Sequence, residues 1–310
     1  MKRFILQVVI FIGLLVLLTS IPCQIFEKKA QQCTTRHPYS RVNFAINSAN
    51  INADLIILGN SRAEDSYNDS ILSAQIELRC LNLGWAGYPF DYQYNVMFET
   101  YIKQNIYPKY VLLEVGPWAF FDYVNPIYTI ELLPYINRPE FQFYVKLCPE
   151  LSWVDKSLFV KYAGKLDKVR KELVLFFKSP IHKTEKIEKV KKTKWNSNYF
   201  GEQQHLECDT SIIQVFNSFI DECLEKDIKV VLICSPIHSK DGARYFDMEG
   251  FWKIINQNIE KRNIIVLNYE NLYGNDTVYF ANPMHLNSYG RDCYTLKVAH
   301  DLDSLGVFQN

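Results

Sequence analysis

The chain has 310 residues, with 34 Lys and Arg against 34 Asp and Glu, and 48% of its residues are hydrophobic. This length allows one or at most two domains, and the apolar share is ample for a folded core, which excludes a wholly disordered chain. The formal net charge of 0 excludes a globally basic nucleic-acid-binding protein and an acidic solvating tail.

The amino-terminal segment is a strongly apolar stretch that follows Lys2 and Arg3. It runs from residue 4 to 22, close to the roughly 20 residues that cross a bilayer core. We expect residues 1–23 to form an uncleaved anchor, because the stretch is long for a signal peptide and lacks a clear small-x-small cleavage site. A cleaved signal is the alternative. The basic start favours a cytoplasmic amino terminus and therefore an extracytoplasmic body.

The body alternates short apolar runs with helical stretches. Residues 24–53 are mostly polar and predict an irregular stalk. Apolar runs bounded by turn residues predict buried strands at 54–58, 80–83, 110–116, 229–236 and 264–268. Helices are predicted at 71–78, 92–105, 211–226, 247–261 and 288–304.

This alternation predicts an α/β fold over residues 54–310, a three-layer sandwich with a five-stranded, flavodoxin-like parallel sheet. Residues 117 to about 205 interrupt the pattern and predict a helical insertion, with helices near 141–147 and 155–177. A Lys-rich run at 183–194 reads as a solvated face. Ligands of such sheets bind beyond the carboxyl ends of the strands, so the loops that follow the strands carry the candidate site.

Motifs for cofactor and metal chemistry are absent from the sequence. It has no GxG element of a dinucleotide fingerprint, no GxxxxGK[ST] loop and no HExxH pair. The GxSxG elbow of α/β-hydrolases is absent too, because Ala63 stands at its second glycine. Eight cysteines include no CxxC pair, and their spacing specifies no disulfide pairing. We therefore predict a site without cofactor or metal.

A serine follows the first predicted strand, and a histidine precedes the last helix. Ser61 in a strand-to-helix turn would expose its hydroxyl, which needs an adjacent base to become a nucleophile. His285 would supply that base, because its segment returns to the same edge of the sheet. The alternatives are that Ser61 caps the following helix and that His285 is a structural loop residue.

Three blocks, in this order, resemble the SGNH (GDSL-type) hydrolase superfamily. They are Gly59-Asn60-Ser61, then Asn82-Leu83-Gly84-Trp85-Ala86-Gly87, then N-P-M-H-L-N-x-x-G from residue 282. With the predicted anchor and the Gly-Pro-Trp after the third strand, the chain is most similar to envelope-anchored members. These include relatives of the teichoic-acid D-alanyl-transfer protein and of alginate-type O-acetylation proteins.

The resemblance implies a role for each matching residue. Ser61 would be the nucleophile and its N–H the first oxyanion donor, with the N–H of Gly87 as a second donor. His285 would be the base. The sequence departs from the family at two positions, since Asn282 replaces the catalytic Asp and Trp118 replaces an oxyanion Asn.

The first departure bears on how the base is oriented. A neutral Asn282 can orient the imidazole, but it cannot stabilise imidazolium as a carboxylate does. The alternatives are a Ser–His dyad oriented by another residue, for which Asp276 is a candidate, and a site of weak or no activity.

Three further residues on strand-end loops could contact a substrate. Arg62 could bind an anionic group, or it could pair with Glu64 or Asp65. Trp118 and the aromatics after it could form a sugar-stacking wall or a lid packed on the core. His238 could line the pocket or be structural.

Together these features predict a membrane-anchored serine esterase or O-acyltransferase of the SGNH type. Its domain would be periplasmic or at the cell surface, and its substrate an acyl ester of an envelope polysaccharide or acyl sugar. A membrane-bound O-acyltransferase is a candidate partner, and no nucleic acid is expected. The alternative is a catalytically degenerate relative that binds glycan or assembles with such an acyltransferase.

Overall fold

The computed structural model describes residues 1–121, 132–141, 162, 165–178, 208–240 and 246–309. The strands are β1 Leu55–Leu58, β2 Cys80–Asn82, β3 Tyr110–Glu114, β4 Lys229–Cys234, β5 Ile265–Asn268, β6 Phe280–Asn282 and β7 His285–Leu286. The first helices are α1 Lys2–Gln31, α2 Tyr39–Ile46, α3 Ser61–Ser66 and α4 Asp69–Ile76. Helix α5 is continuous over Phe90–Tyr92, a π-helical Gln93–Phe98 and Glu99–Ile102. The others are α6 Leu166–Lys178, α7 Thr210–Glu225, α8 Met248–Ile259 and α9 Ser288–Ser304.

Five parallel strands form the central sheet, in the order β2-β1-β3-β4-β5. This confirms the predicted α/β fold and the flavodoxin-like strand order. Every residue of β1, β2 and β3 is buried, because helices cover both faces of the sheet. Strands β6 and β7 form a separate antiparallel hairpin that the sequence did not predict.

Each face of the sheet packs against its own helices. On one face, alternate strand residues and the inner side of α9 form one cluster, whose members include Leu55, Ile57, Leu112, Val231, Tyr294, Val298 and Leu302. On the other face, α5 and α7 pack through phenylalanine rings. The Phe90–Phe216 and Phe98–Phe219 centroids are 5.6 and 5.2 Å apart. The sheet is therefore a rigid support for the loops at its carboxyl edge.

The chain divides into two units, one of residues 1–47 and 124–187 and one of residues 48–123 and 188–310. The expectation of irregular structure at 24–53 is wrong in part, because α1 continues to Gln31 and α2 follows it. Cys23, Phe26 and Ala30 are buried on one face of this helix. Their helical spacing is hard to see in the sequence because polar residues stand between them. The role of this segment as a stalk stays a prediction.

Helix α1 is long and apolar enough to cross a membrane, although a signal sequence would have the same properties. Of the predicted insertion, α6 and a few short segments are described, and α6 falls in the first unit. Residues 142–147 of the helix predicted near 141–147, most of 155–165 and the Lys-rich run at 183–194 lie outside the described residues.

The turn after β1 requires a glycine. Gly59 has φ +143°, and a Cβ there would lie 2.7 Å from the Glu114 Cβ and 2.8 Å from the Ala63 Cβ. We expect Gly59→Ala to lower the free energy of unfolding by about 2–4 kcal/mol, since backbone strain and overpacking add. Urea unfolding of the purified protein measures this loss.

The matched control is Gly274→Ala, because Gly274 also has positive φ, at +54°, but faces open space. We expect a loss of about 1 kcal/mol there, from backbone strain alone. Equal losses at the two glycines would contradict the assigned close packing at Gly59.

Candidate active site

Ser61 is the first residue of α3, directly after the turn that ends β1. The Asn60 side chain caps this short helix by accepting the Arg62 N–H at 3.1 Å. The cap is thus supplied by the neighbour of Ser61. The side chain of Ser61 is half-buried, at the carboxyl edge of the sheet.

The structure brings His285 to this serine. His285 begins β7 on the hairpin, and its Nε2 lies 2.9 Å from the Ser61 Oγ across 224 residues of sequence. The hairpin is held against the sheet because Phe280 and Leu286 belong to the core on that face. The two residues are therefore within the distance at which a base can take a hydroxyl proton.

Asn282 completes a chain of hydrogen bonds. Its Oδ1 lies 3.0 Å from the His285 Nδ1 and also accepts the N–H groups of Met284 and His285, at 2.9 and 3.0 Å. Since an N–H can donate only to the amide oxygen, these two bonds orient the amide with its oxygen toward the ring. The proton must then sit on Nδ1, which leaves Nε2 to accept the hydroxyl proton of Ser61.

Of the two candidate residues, Asn282 and not Asp276 contacts the second ring nitrogen of His285. The Asp276 side chain caps a short 3-10 turn at Thr277–Tyr279, where it accepts the Val278 N–H at 3.0 Å. The structure does not place Asp276 as the orienting residue, because its carboxylate caps this turn and the His285 Nδ1 faces Asn282.

Burial and charge keep the imidazole neutral. Desolvation, followed by the charge of Arg62, lowers the pKa of His285 from 6.5 to about 4. Because this folded-state pKa lies below that of the unfolded chain, the neutral ring contributes stability above pH 6.5. That contribution is lost as the pH falls through about 4.

The loop after β2 packs onto the same turn. The Trp85 N–H donates to the Gly59 carbonyl, and the Ala86 N–H donates to the Glu64 Oε2, both at 2.8 Å. Gly87 follows with φ +81°, a conformation that favours glycine. The loop that carries Gly87 is thus fastened to α3, and the role of Gly87 as an oxyanion donor stays a prediction.

Arg62 does not lie where a substrate could reach it. Its side chain is 2% exposed, and it faces Glu114 with Nε 3.5 Å from Oε1. It neither binds a surface anion nor pairs with Glu64 or Asp65, the two outcomes that the sequence suggested. Residue 62 points under the sheet edge, because it is one helical position from Ser61 and so projects about 100° away.

Trp118 and His238 are buried as well. Trp118 is 7% exposed and stacks over the Arg62 guanidinium at 4.3 Å, so its indole face is covered by protein and does not form a sugar wall. His238 is 3% exposed, packs on Phe280, and has Nε2 3.1 Å from the Asn275 carbonyl oxygen. Trp118 thus packs against Arg62, and the His238 N–H donates to the Pro283 carbonyl next to the site.

Sequence reasoning missed a cluster of polar residues beneath the site. Glu114 accepts hydrogen bonds from the Ser235 N–H at 2.9 Å, the Ser235 hydroxyl at 2.7 Å and the Tyr67 hydroxyl at 2.9 Å. Burial raises the pKa of Glu114, and the Arg62 charge and the Ser235 donors oppose that rise. The signal in the sequence is a carboxylate at the end of an otherwise apolar strand, which demands a buried partner.

No protein-family model matches the chain, and no curated protein matches it significantly. Several solved structures do match it. One is an acetyl xylan esterase, with 12% identity and a TM-score of 0.41, over 80% of this chain and 98% of that one. Another, described as an acylhydrolase from Bacteroides fragilis, has 11% identity and a TM-score of 0.39, over 88% and 97% of the two chains.

A family two carbohydrate esterase from Clostridium thermocellum, in complex with cellohexaose, also matches. It has 8% identity and a TM-score of 0.39, over 81% of this chain and 64% of that one.

The amide at Asn282 generates a prediction about the base. We expect Asn282→Asp to raise the pKa of His285 from about 4 toward 6.5 or above, because a carboxylate 3.0 Å away stabilises imidazolium. Titration of the imidazole resonances by NMR measures the change. Asn271→Asp adds the same charge to an exposed loop, where Asn271 accepts from Ser239, and should leave His285 unchanged. Equal shifts in both variants would contradict the assigned contact.

Proposed function

We propose that this chain is a serine esterase or O-acyltransferase of the SGNH type that acts on acyl esters of a cell-envelope glycan. One observation carries the proposal: the hydrogen-bonded chain from the Ser61 Oγ through both ring nitrogens of His285 to the Asn282 Oδ1. A serine, a base of the correct tautomer and an orienting acceptor are the parts that nucleophilic acyl transfer needs.

The reaction has two halves. The Ser61 Oγ attacks the acyl carbonyl while His285 Nε2 takes the hydroxyl proton, and the N–H groups of Ser61 and Gly87 hold the oxyanion. The ester C–O bond then breaks, and the imidazolium returns its proton to the leaving sugar oxygen. In the second half, water or another sugar hydroxyl attacks the acyl-serine and gives its proton to His285. The bond between the acyl carbon and the Ser61 Oγ then breaks, and the imidazolium returns the proton to Oγ, which restores the free serine and the neutral base. Hydrolysis and transfer differ only in which group enters.

Two features of the site favour slow chemistry. Asn282 cannot stabilise the imidazolium by charge, and in a serine protease the corresponding Asp-to-Asn change costs about ten-thousand-fold in rate. Trp118 stands where the family has an oxyanion Asn, and losing one such donor typically costs about 100- to 1000-fold. We expect a rate well below that of an enzyme with the full family set.

The cellular setting is also part of the proposal. Helix α1 would anchor the chain by a single span, with the catalytic domain in the periplasm or at the cell surface. An envelope polysaccharide or acyl sugar would be the substrate, and a membrane-bound O-acyltransferase would be a partner that supplies acyl groups.

Active-site labelling tests the proposed nucleophile. We expect a fluorophosphonate to modify Ser61, and Ser61→Ala to abolish labelling. We expect His285→Gln to slow labelling by about 100- to 10,000-fold, because the hydroxyl loses its base. Mass spectrometry of the intact protein measures each rate.

The pH dependence of labelling is a second readout. The rate should stay level from pH 7 to 5 and fall near pH 4, where His285 takes a proton. Ser239→Ala, in the loop after β4, is the serine control and should label like the natural protein. A natural protein that does not label, or a Ser61→Ala variant that labels equally, would overturn the proposed chemistry.

A second candidate function is that of a degenerate relative that binds glycan or assembles with an acyltransferase. The neutral Asn282 and the buried Trp118 favour it. If so, the natural protein should be inert toward aryl esters and fluorophosphonate, while Asn282→Asp should react. Glycan binding that survives Ser61→Ala would support this candidate, and turnover by the natural protein would exclude it.

A further inference from the structure

The four-residue turn from Asn282 to His285 is held from outside the hairpin. The Pro283 carbonyl accepts the His238 N–H at 3.0 Å, and the Met284 carbonyl accepts the Arg62 Nη1 at 2.7 Å. Within the turn, the Asn282 side chain accepts two backbone N–H groups. The position of the imidazole therefore depends on a side chain that belongs to α3.

Arg62 joins this turn to the edge of the sheet. Its Nη2 donates to the Ser235 carbonyl, to the Ser235 hydroxyl at 2.8 Å and to the Pro236 carbonyl at 2.9 Å. A guanidinium holds its donors in a fixed planar fork, so satisfying these acceptors fixes where Nη1 points. Arg62 directly follows Ser61 in the sequence. Two adjacent residues therefore supply the serine hydroxyl and the guanidinium that binds the turn next to His285.

The guanidinium is itself confined. Glu114 faces its Nε, and the Trp118 ring lies 4.3 Å from its central carbon. Glu114 in turn is bound by both donors of Ser235 and by the Tyr67 hydroxyl. A planar group with an anion at its edge and an aromatic ring on its face has little freedom to rotate.

We propose that Arg62 is a positioning residue, which holds His285 at hydrogen-bonding distance from Ser61 through the Met284 carbonyl. Glu114, Ser235 and Trp118 keep the guanidinium in the orientation that this contact needs. The inference rests on the proposed function for its kinetic readout only. An arginine that merely stabilised the fold would leave the Ser61–His285 geometry unchanged in the molecules that remain folded.

Arg62→Lys is the decisive variant, because it keeps the charge and removes the planar fork. We expect labelling of Ser61, measured per folded molecule, to slow by about 100-fold. We expect the pKa of His285, followed by NMR, to rise from about 4 toward 6.5 as the ring leaves its buried position. The substitution changes no other charged group on the neighbouring elements, so a rise in the pKa of His285 would report a change in its position. These groups are Glu64, Asp65, Glu114, Asp276, Arg291 and Asp292.

Arg262→Lys is the matched control. Arg262 lies before β5, at the amino edge of the sheet, and makes two 2.8 Å contacts with Asp221. This variant should lower the melting temperature and leave both the labelling rate and the His285 titration unchanged. Equal effects of the two substitutions would overturn the positioning role.

Two further results would overturn the positioning role of Arg62. A folded Arg62→Lys variant with natural labelling and natural His285 titration would overturn the inference. Should that variant not fold, Ser235→Ala removes one contact of the guanidinium, and we expect labelling to slow by about 3- to 10-fold with a small rise in the His285 pKa. No change in either would overturn it. The titration needs no activity, so it decides the inference even where the natural protein fails to label.

Discussion

The ion pair of Arg62 and Glu114 beneath the sheet edge constrains the rest of the site. Burying two charges costs several kcal/mol for each ion, and the cost is offset only where the geometry is good and the remaining donors and acceptors are satisfied. Here the partners come from α3, the ends of β3 and β4, and the hairpin turn. These segments must meet in one arrangement, since removing one partner of such a pair typically costs about 3–5 kcal/mol.

Helix α3 links this buried pair to Ser61, His285 and the loop of Gly87. Successive side chains of a helix project about 100° apart, so neighbouring positions reach different parts of the molecule. Ser61 faces His285, Arg62 reaches under the edge of the sheet, and Glu64 accepts the Ala86 N–H of the loop that carries Gly87. One short helix thus fixes Ser61, His285 and the loop of Gly87 relative to one another.

The same arrangement gives the site an electrostatic imbalance. Burial and Arg62 both disfavour imidazolium, and Asn282 supplies direction without negative charge. His285 is therefore neutral at neutral pH, with its proton on Nδ1, while an imidazolium at this position would be poorly compensated. For the proposed acyl transfer, this imbalance predicts a slow reaction.

Local pattern in the sequence determined the sheet, and the order of three separated blocks suggested the pair of residues at its edge. The apolar runs with turns after them identified the five strands, and the ordered blocks that resemble the SGNH superfamily suggested the pairing of Ser61 with His285 that the structure shows. The hairpin that carries His285 was not predicted. Only the tertiary structure showed that Arg62, Trp118 and His238 are buried, because the burial of a side chain depends on residues far away in the sequence. Glu114 lies 52 residues from Arg62 in the sequence. A charged residue at the end of an apolar run indicates that it has a buried partner, but the sequence does not show which residue that partner is.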